Sequence, residues 1–79
     1  MSSQEKRDEL VEKIISSFNM DREVWKCLMF IASIAESFSL KLKSGPITLE
    51  IGRRYDGRVE VSYSIKEVDG TERIIKKVY

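Results

Sequence analysis

Phe38-Ser39-Leu40-Lys41-Leu42-Lys43 is the stretch on which the fold turns. Its apolar residues alternate with polar ones, the period of a half-buried strand and not of a helix. Continued as helix, the segment sets Leu40 on the polar side. A strand over about 37–43 gives four strands after two helices, whereas running the second helix on to Lys43 leaves three. The expected class is therefore α+β: two N-terminal helices packed on one face of a four-stranded, alternatively three-stranded, antiparallel β-meander. The whole of residues 1–79 forms a single domain in this reading.

Towards the C-terminus the alternation continues. Ile47, Leu49 and Ile51 alternate with Thr48 and Glu50; Val59, Val61, Tyr63 and Ile65 alternate with Glu60, Ser62, Ser64 and Lys66; Ile74, Ile75, Val78 and Tyr79 close the chain. Strands are expected over about 47–54, 58–67 and 71–79, with turns at Ser44-Gly45-Pro46, Asp56-Gly57 and Asp69-Gly70. A register slip of one residue moves every side chain to the other face, so parity tests each turn. A three-residue loop, Tyr55-Asp56-Gly57, pairs Val59 with Arg53 and Val61 with Ile51. A two-residue loop at Asp69-Gly70 pairs Ile65 with Ile74 and Val61 with Val78. Ser44-Gly45 pairs Leu42 with Ile47. All three choices keep one apolar sheet face.

Towards the N-terminus a first helix is expected over about 3–18, started by a Ser2/Glu5 capping box. Leu10, Val11, Ile14, Ile15 and Phe18 form its apolar face, opposite Glu9, Glu12, Lys13 and Ser16. Asn19 suits a left-handed C-terminal position and Asp21 the N-cap of a second helix over about 21–36. Met20 and Trp25 are placed to pack as a hydrophobic staple across that cap. On the second helix Val24, Cys27, Leu28, Ile31, Ile34, Ala35 and Phe38 share one face, expected to be buried. Met29 and Phe30 fall outside that stripe.

Size limits the stability of such a fold. A 79-residue domain buries only roughly 60–65% of its unfolded surface, so association with a second copy is a reasonable expectation. Cys27 is the single cysteine, which excludes an intramolecular disulfide. The N-terminal run is charged and has no apolar segment behind it, unlike a signal peptide. The longest charge-free apolar stretch covers nine residues, 27–35, against about 20 needed to span a bilayer. A soluble, cytoplasmic protein with no membrane partner is expected. Scarce Asn, Gln and Cys beside abundant Lys, Arg, Glu and Ile is the compositional direction of thermophile proteins.

Net charge is +1, unevenly spread: residues 1–21 carry three basic and five acidic side chains, residues 38–58 five basic and two acidic. Near-neutrality argues against a nonspecific nucleic-acid coat but leaves room for a local basic patch. The absence of histidine removes the Ser-His-Asp, Cys-His and His-metal constellations. Gly45, Gly52, Gly57 and Gly70 match neither dinucleotide-binding nor P-loop spacing. Cys27 reads as a buried, inert thiol. No catalytic residue, metal site or cofactor is expected, and the chain is not expected to be an enzyme.

Two features remain. Arg53, Arg54, Tyr55 and Arg58 crowd one hairpin tip, with Lys41 and Lys43 on the adjoining strand. Guanidinium groups take phosphates bidentately and a tyrosine can stack on a base, so this set suits an anion or a nucleic acid. The plainer reading is a charged tip that keeps strand edges apart. Phe30 with Met29 forms an apolar patch on the second helix, either wedged inside the domain or offered to a partner. The reading as a whole is a non-enzymatic binding or regulatory module, homodimeric through the second helix or a sheet edge and acting on a protein partner. The alternative is nucleic-acid binding through the arginine hairpin.

Overall fold

The computed structural model describes residues 8–79. Two helices, α1 (Glu9–Ser17) and α2 (Arg22–Ile34), precede four strands, β1 (Ser39–Ser44), β2 (Ile47–Arg53), β3 (Val59–Lys66) and β4 (Glu72–Val78). The strands form one antiparallel sheet in chain order, joined by hairpins. Residues 39–44 are strand, as their alternation requires.

Local capping sets the helix ends. Asp8 is extended and its side chain accepts from the Leu10 N–H at 3.0 Å, so α1 begins at Glu9. The start near Ser3 and the Ser2/Glu5 box lie outside the described residues. At the other end Asn19 takes φ +50°. Its N–H reaches the Ser16 carbonyl at 3.4 Å and the Met20 N–H reaches that of Ile15 at 2.9 Å, a Schellman closure of the last turn. Asp21 then caps α2, accepting from the Glu23 N–H at 3.0 Å.

The core lies between the helices and the middle of the sheet. Leu10 and Ile14 of α1, Trp25 and Ala32 of α2, Leu49 and Ile51 of β2, and Val59, Val61 and Tyr63 of β3 are buried. Helix α2 lies over β2 and β3. Helix α1 is tied to β3 by the Ser17 and Tyr63 hydroxyls, 2.8 Å apart. Its N-cap, Asp8, also accepts from Lys77 Nζ at 2.8 Å and from the Tyr79 hydroxyl at 2.7 Å, which fastens α1 to the end of β4.

Two registers differ from expectation. Val61 faces Ile51 and Val59 faces Arg53, as the Tyr55-Asp56-Gly57 loop requires. Between β1 and β2, however, Leu42 faces Leu49 and Ser44 faces Ile47, so the loop is Gly45-Pro46. A slip of two preserves parity, and the apolar face survives it. Between β3 and β4 Tyr63 faces Ile75, Ile65 faces Arg73 and Val61 faces Lys77. Ile74 and Val78 therefore lie on the far face of the sheet, not against the core.

Turn chemistry explains the second slip. Gly70 adopts φ +94° and donates to the Glu67 carbonyl at 3.0 Å, and Glu67 N–H reaches the Thr71 carbonyl at 2.7 Å. Asp69 Oδ1 accepts from the Thr71 N–H at 3.0 Å and from the Thr71 hydroxyl at 2.7 Å. Asp56-Gly57 is built alike: Gly57 at φ +87°, Arg54 N–H on the Arg58 carbonyl, and Asp56 accepting from the Arg58 N–H. Both are three-residue loops whose glycine stands in the left-handed region. That local geometry outweighs the burial of Ile74, because β4 lies largely beyond the helices' cover and only Val78 among its residues is half-buried.

Helix α2 presents the other correction. Of the face expected inside, Val24, Cys27, Ile31 and Ile34 are exposed, whereas Leu28, Ala35 and Phe38 are half-buried and Phe38 packs against the core. Trp25 and Ala32 point to the sheet instead, with Met29 packed beside them. Trp25 removes more apolar area from water than any aliphatic side chain, and Ala32, one turn-pair away, lets the helix approach the strands closely. One large and one very small residue in line outweigh a larger number of medium ones. Cys27 is accordingly an exposed thiol, contrary to expectation.

Candidate interaction surface on helix α2

Helix α2 is apolar on almost all sides, since Trp25, Leu28, Met29 and Ala32 face or flank the core while Val24, Cys27, Phe30, Ile31 and Ile34 do not. The sheet can cover only one side. Phe30 is 63% exposed and Ile34 65%, with Val24 and Ile31 each at 47%. Together these side chains form an exposed apolar patch along one helix, a kind of feature that is often functional. Positions 24, 27, 31 and 34 follow the three-four spacing of a coiled-coil seam, one that a second helix fits.

The elements that turn this stripe outward are identifiable. Asp21 caps the start of α2, and Arg22 Nη2 meets Glu12 Oε2 at 2.8 Å, linking its first turn to α1. At the far end Arg53 Nη1 donates to the carbonyls of Ala32 at 3.2 Å and Ser33 at 2.7 Å. Helix C-termini leave carbonyls without partners, and a cation there also opposes the negative end of the helix dipole. Arg53 thus holds the end of α2 on the sheet. Trp25 sets the rotation between these two fastenings.

The arginine hairpin is correspondingly thinner than its sequence suggests. Arg53 is engaged with α2, and Arg54 Nη2 lies 3.4 Å from Asp56 Oδ2. Tyr55, at 97% exposure, and Arg58 stand at the tip. Lys41 is on the far face of the sheet, 3.7 Å from Glu50. Lys43 pairs with Thr48 at the opposite end of β2, five residues from Arg53 and so about 17 Å along the strand. The six residues do not form one basic site.

Met29 and Phe30, adjacent in sequence, part company: Met29 packs on the core and Phe30 belongs to the exposed stripe. Sequence periodicity places the stripe's other members on a buried face. Their three-four spacing is the available signal, but spacing does not say whether sheet or solvent lies opposite.

Two shallow hollows of about 310 and 330 Å³ lie on the far face of the sheet and share Lys41, Glu50, Ser62 and Lys76. Their linings mix charges of both signs, and the Lys41–Glu50 pair neutralises part of them. Among the described residues no three His, Cys, Asp or Glu side chains gather as metal ligands. Among the same residues no helix is long and apolar enough to cross a membrane. No protein family, curated protein or solved structure gives a match to this chain.

Proposed function

We propose that this chain is a small, soluble, cytoplasmic binding module without enzymatic activity. It acts through protein–protein contacts, works as a homodimer, and uses the outer stripe of α2 as its docking surface. The observation that supports this is the stripe itself: Val24, Cys27, Phe30, Ile31 and Ile34 exposed together on a helix fastened at both ends. A partner that covers it recovers the burial a domain of this size cannot achieve alone.

The test is molar mass by light scattering across the micromolar range, for wild type and for Phe30→Glu/Ile34→Glu. The expected result is a dimer for wild type and a folded monomer, with unchanged circular dichroism, for the variant. A monomeric wild type refutes the dimer. An unfolded variant shows that these side chains are core and refutes the docking surface.

Nucleic-acid binding through the hairpin is the second reading, supported by Tyr55 and Arg58 at the tip. Arg53's engagement with α2 and the separation of Lys41 and Lys43 weigh against it. Fluorescence anisotropy with short DNA and RNA at low and physiological salt decides it: steeply salt-dependent binding that needs Arg54 and Arg58 would put this reading first.

A further inference from the structure

Strand β4 ends the sheet, and we infer that its outer edge pairs with β4 of a second copy, antiparallel, with Ile74 opposite Ile74. This goes beyond the docking surface proposed above, since it joins copies through the sheet and not through α2. The Tyr79 N–H donates to the Val59 carbonyl at 2.8 Å, and the Val59 N–H to that of Tyr79 at 3.4 Å. Bonded and unbonded pairs alternate along an antiparallel ladder, so Arg73, Ile75 and Lys77 also turn their backbone groups to β3. The N–H and C=O groups of Glu72, Ile74, Lys76 and Val78 therefore point outward, where no strand follows among the described residues. Such a row is a template for another strand.

Side chains decide which strand fits. Glu72, Ile74 and Lys76 share the far face of the sheet. Among the described residues neither Glu72 nor Lys76 has an ion-pair partner, although Lys66 stands opposite Glu72 on β3. With Ile74 against Ile74, Glu72 of each copy faces Lys76 of the other, once on each side of the two-fold axis. Opposite charges and apolar side chains directly across from each other both stabilise a strand pair. Neighbouring registers lose this match. A shift of one ladder step sets Arg73 against Lys77 or against itself, and a shift of two sets Lys76 or Glu72 against itself.

On the core-side face Ile75 of each copy stands opposite Arg73 of the other, beside a hollow of about 270 Å³ that Lys13, Tyr63, Ile65 and Ile75 help to line. Ile74 and Ile75, 55% and 40% exposed in the single chain, both gain cover. The other edge strand, β1, carries Lys41 and Lys43 with no acidic residue and repels its own copy. One strand pair of this length buries less than the roughly 1,200 Å² of a standard interface, so the contact builds at about 0.1–1 mM.

Charge exchange tests the register at positions exposed in the single chain, where the fold tolerates it. Sedimentation equilibrium at low salt is expected to show wild-type mass rising between micromolar and near-millimolar concentration. Glu72→Lys and Lys76→Glu are each expected to abolish that rise, because like charges then face each other twice. An equal mixture of the two variants, or both changes in one chain, is expected to restore it. Slowed amide exchange at Ile74 and Lys76, seen only at the higher concentration, locates the contact on the outer edge. A wild-type mass that does not rise, or single variants that rise as wild type does, overturns the proposal. Phe30→Glu/Ile34→Glu alters the micromolar mass and leaves the rise, so failure at α2 and failure at β4 are read separately. A micromolar dimer that Glu72→Lys abolishes and the mixture restores supports β4 and removes the dimer from α2.

Discussion

Arg53→Ala is the substitution whose outcome says most about how this fold is held. The side chain makes two hydrogen bonds, at 3.2 Å to the Ala32 carbonyl and 2.7 Å to that of Ser33. Hydrogen bonds involving a charged partner contribute about 1.5–3 kcal/mol when shielded, less when water can replace them. The Ala32 bond is partly buried and the Ser33 bond exposed, so a loss of about 1–2 kcal/mol is expected for the pair. In a domain of this size that lowers the melting temperature by on the order of 5–10 °C. Arg54→Ala is the control, since its ion pair with Asp56 is solvent-accessible and worth about 0–1 kcal/mol. Urea unfolding at fixed protein concentration, followed by tryptophan fluorescence, measures both, with Trp25 buried beneath the helix that Arg53 secures. Arg53→Lys should recover only part of the loss, because an ammonium does not reproduce the guanidinium's planar fork. Equal stability for Arg53→Ala and Arg54→Ala would refute the argument and return Arg53 to the group of tip arginines available to an anion.

Three further predictions concern the other fastenings of the fold and the packing beneath α2. Burial pushes the Asp8 carboxyl up, but hydrogen bonds from Lys77 and Tyr79 and the Lys77 charge outweigh it and hold the group below its ordinary value of 3.8. A depressed carboxylate stabilises the fold above its unfolded value and ceases to do so as pH falls through the folded one. Asp8→Asn should therefore flatten the acid limb of stability against pH below about 4, and an unchanged limb in urea titrations would contradict the role assigned to it. Tyr79, whose hydroxyl is raised above 10.0 by burial and by Asp8, contributes in the opposite sense: its stabilisation is complete below pH 10 and declines above it. Tyr79→Phe removes that alkaline decline. Ala32→Leu forces three extra carbons into a fully buried position against the sheet and should cost about 1–3 kcal/mol. Were α2 rotated to bury Ile31 and Ile34, the same change would lie at the surface and leave the unfolding midpoint where it was.

Short-range chemistry was legible in the residues themselves. Asn19 and Asp21 end one helix and begin the next through bonds to their own neighbours, so their roles do not depend on the rest of the chain. The alternations at 38–43, 47–51 and 59–65 have period two whatever packs on them, which is enough to establish strands and the α+β class. The Asp56-Gly57 reversal was legible because its three-residue loop and its apolar pairing agree. At Asp69-Gly70 the two criteria conflict, and the pairing that buries Ile74 is the one the turn does not adopt.

What tertiary structure alone decided follows from having a single sheet face and more apolar surface than it can cover. Helix α2 carries two apolar faces, and the choice between them depends on the fit of Trp25 and Ala32 against β2 and β3. No periodicity encodes that fit, because shape matters there and not the number of apolar residues. The same choice turns Val24, Cys27, Ile31 and Ile34 outward. It also brings the carbonyls of Ala32 and Ser33 within reach of Arg53, a residue that chain position alone assigns to a charged hairpin tip. Sequence sets which surfaces are apolar and which groups are charged. Only packing determines which of them remain uncovered, and in this protein those surfaces carry the proposed function.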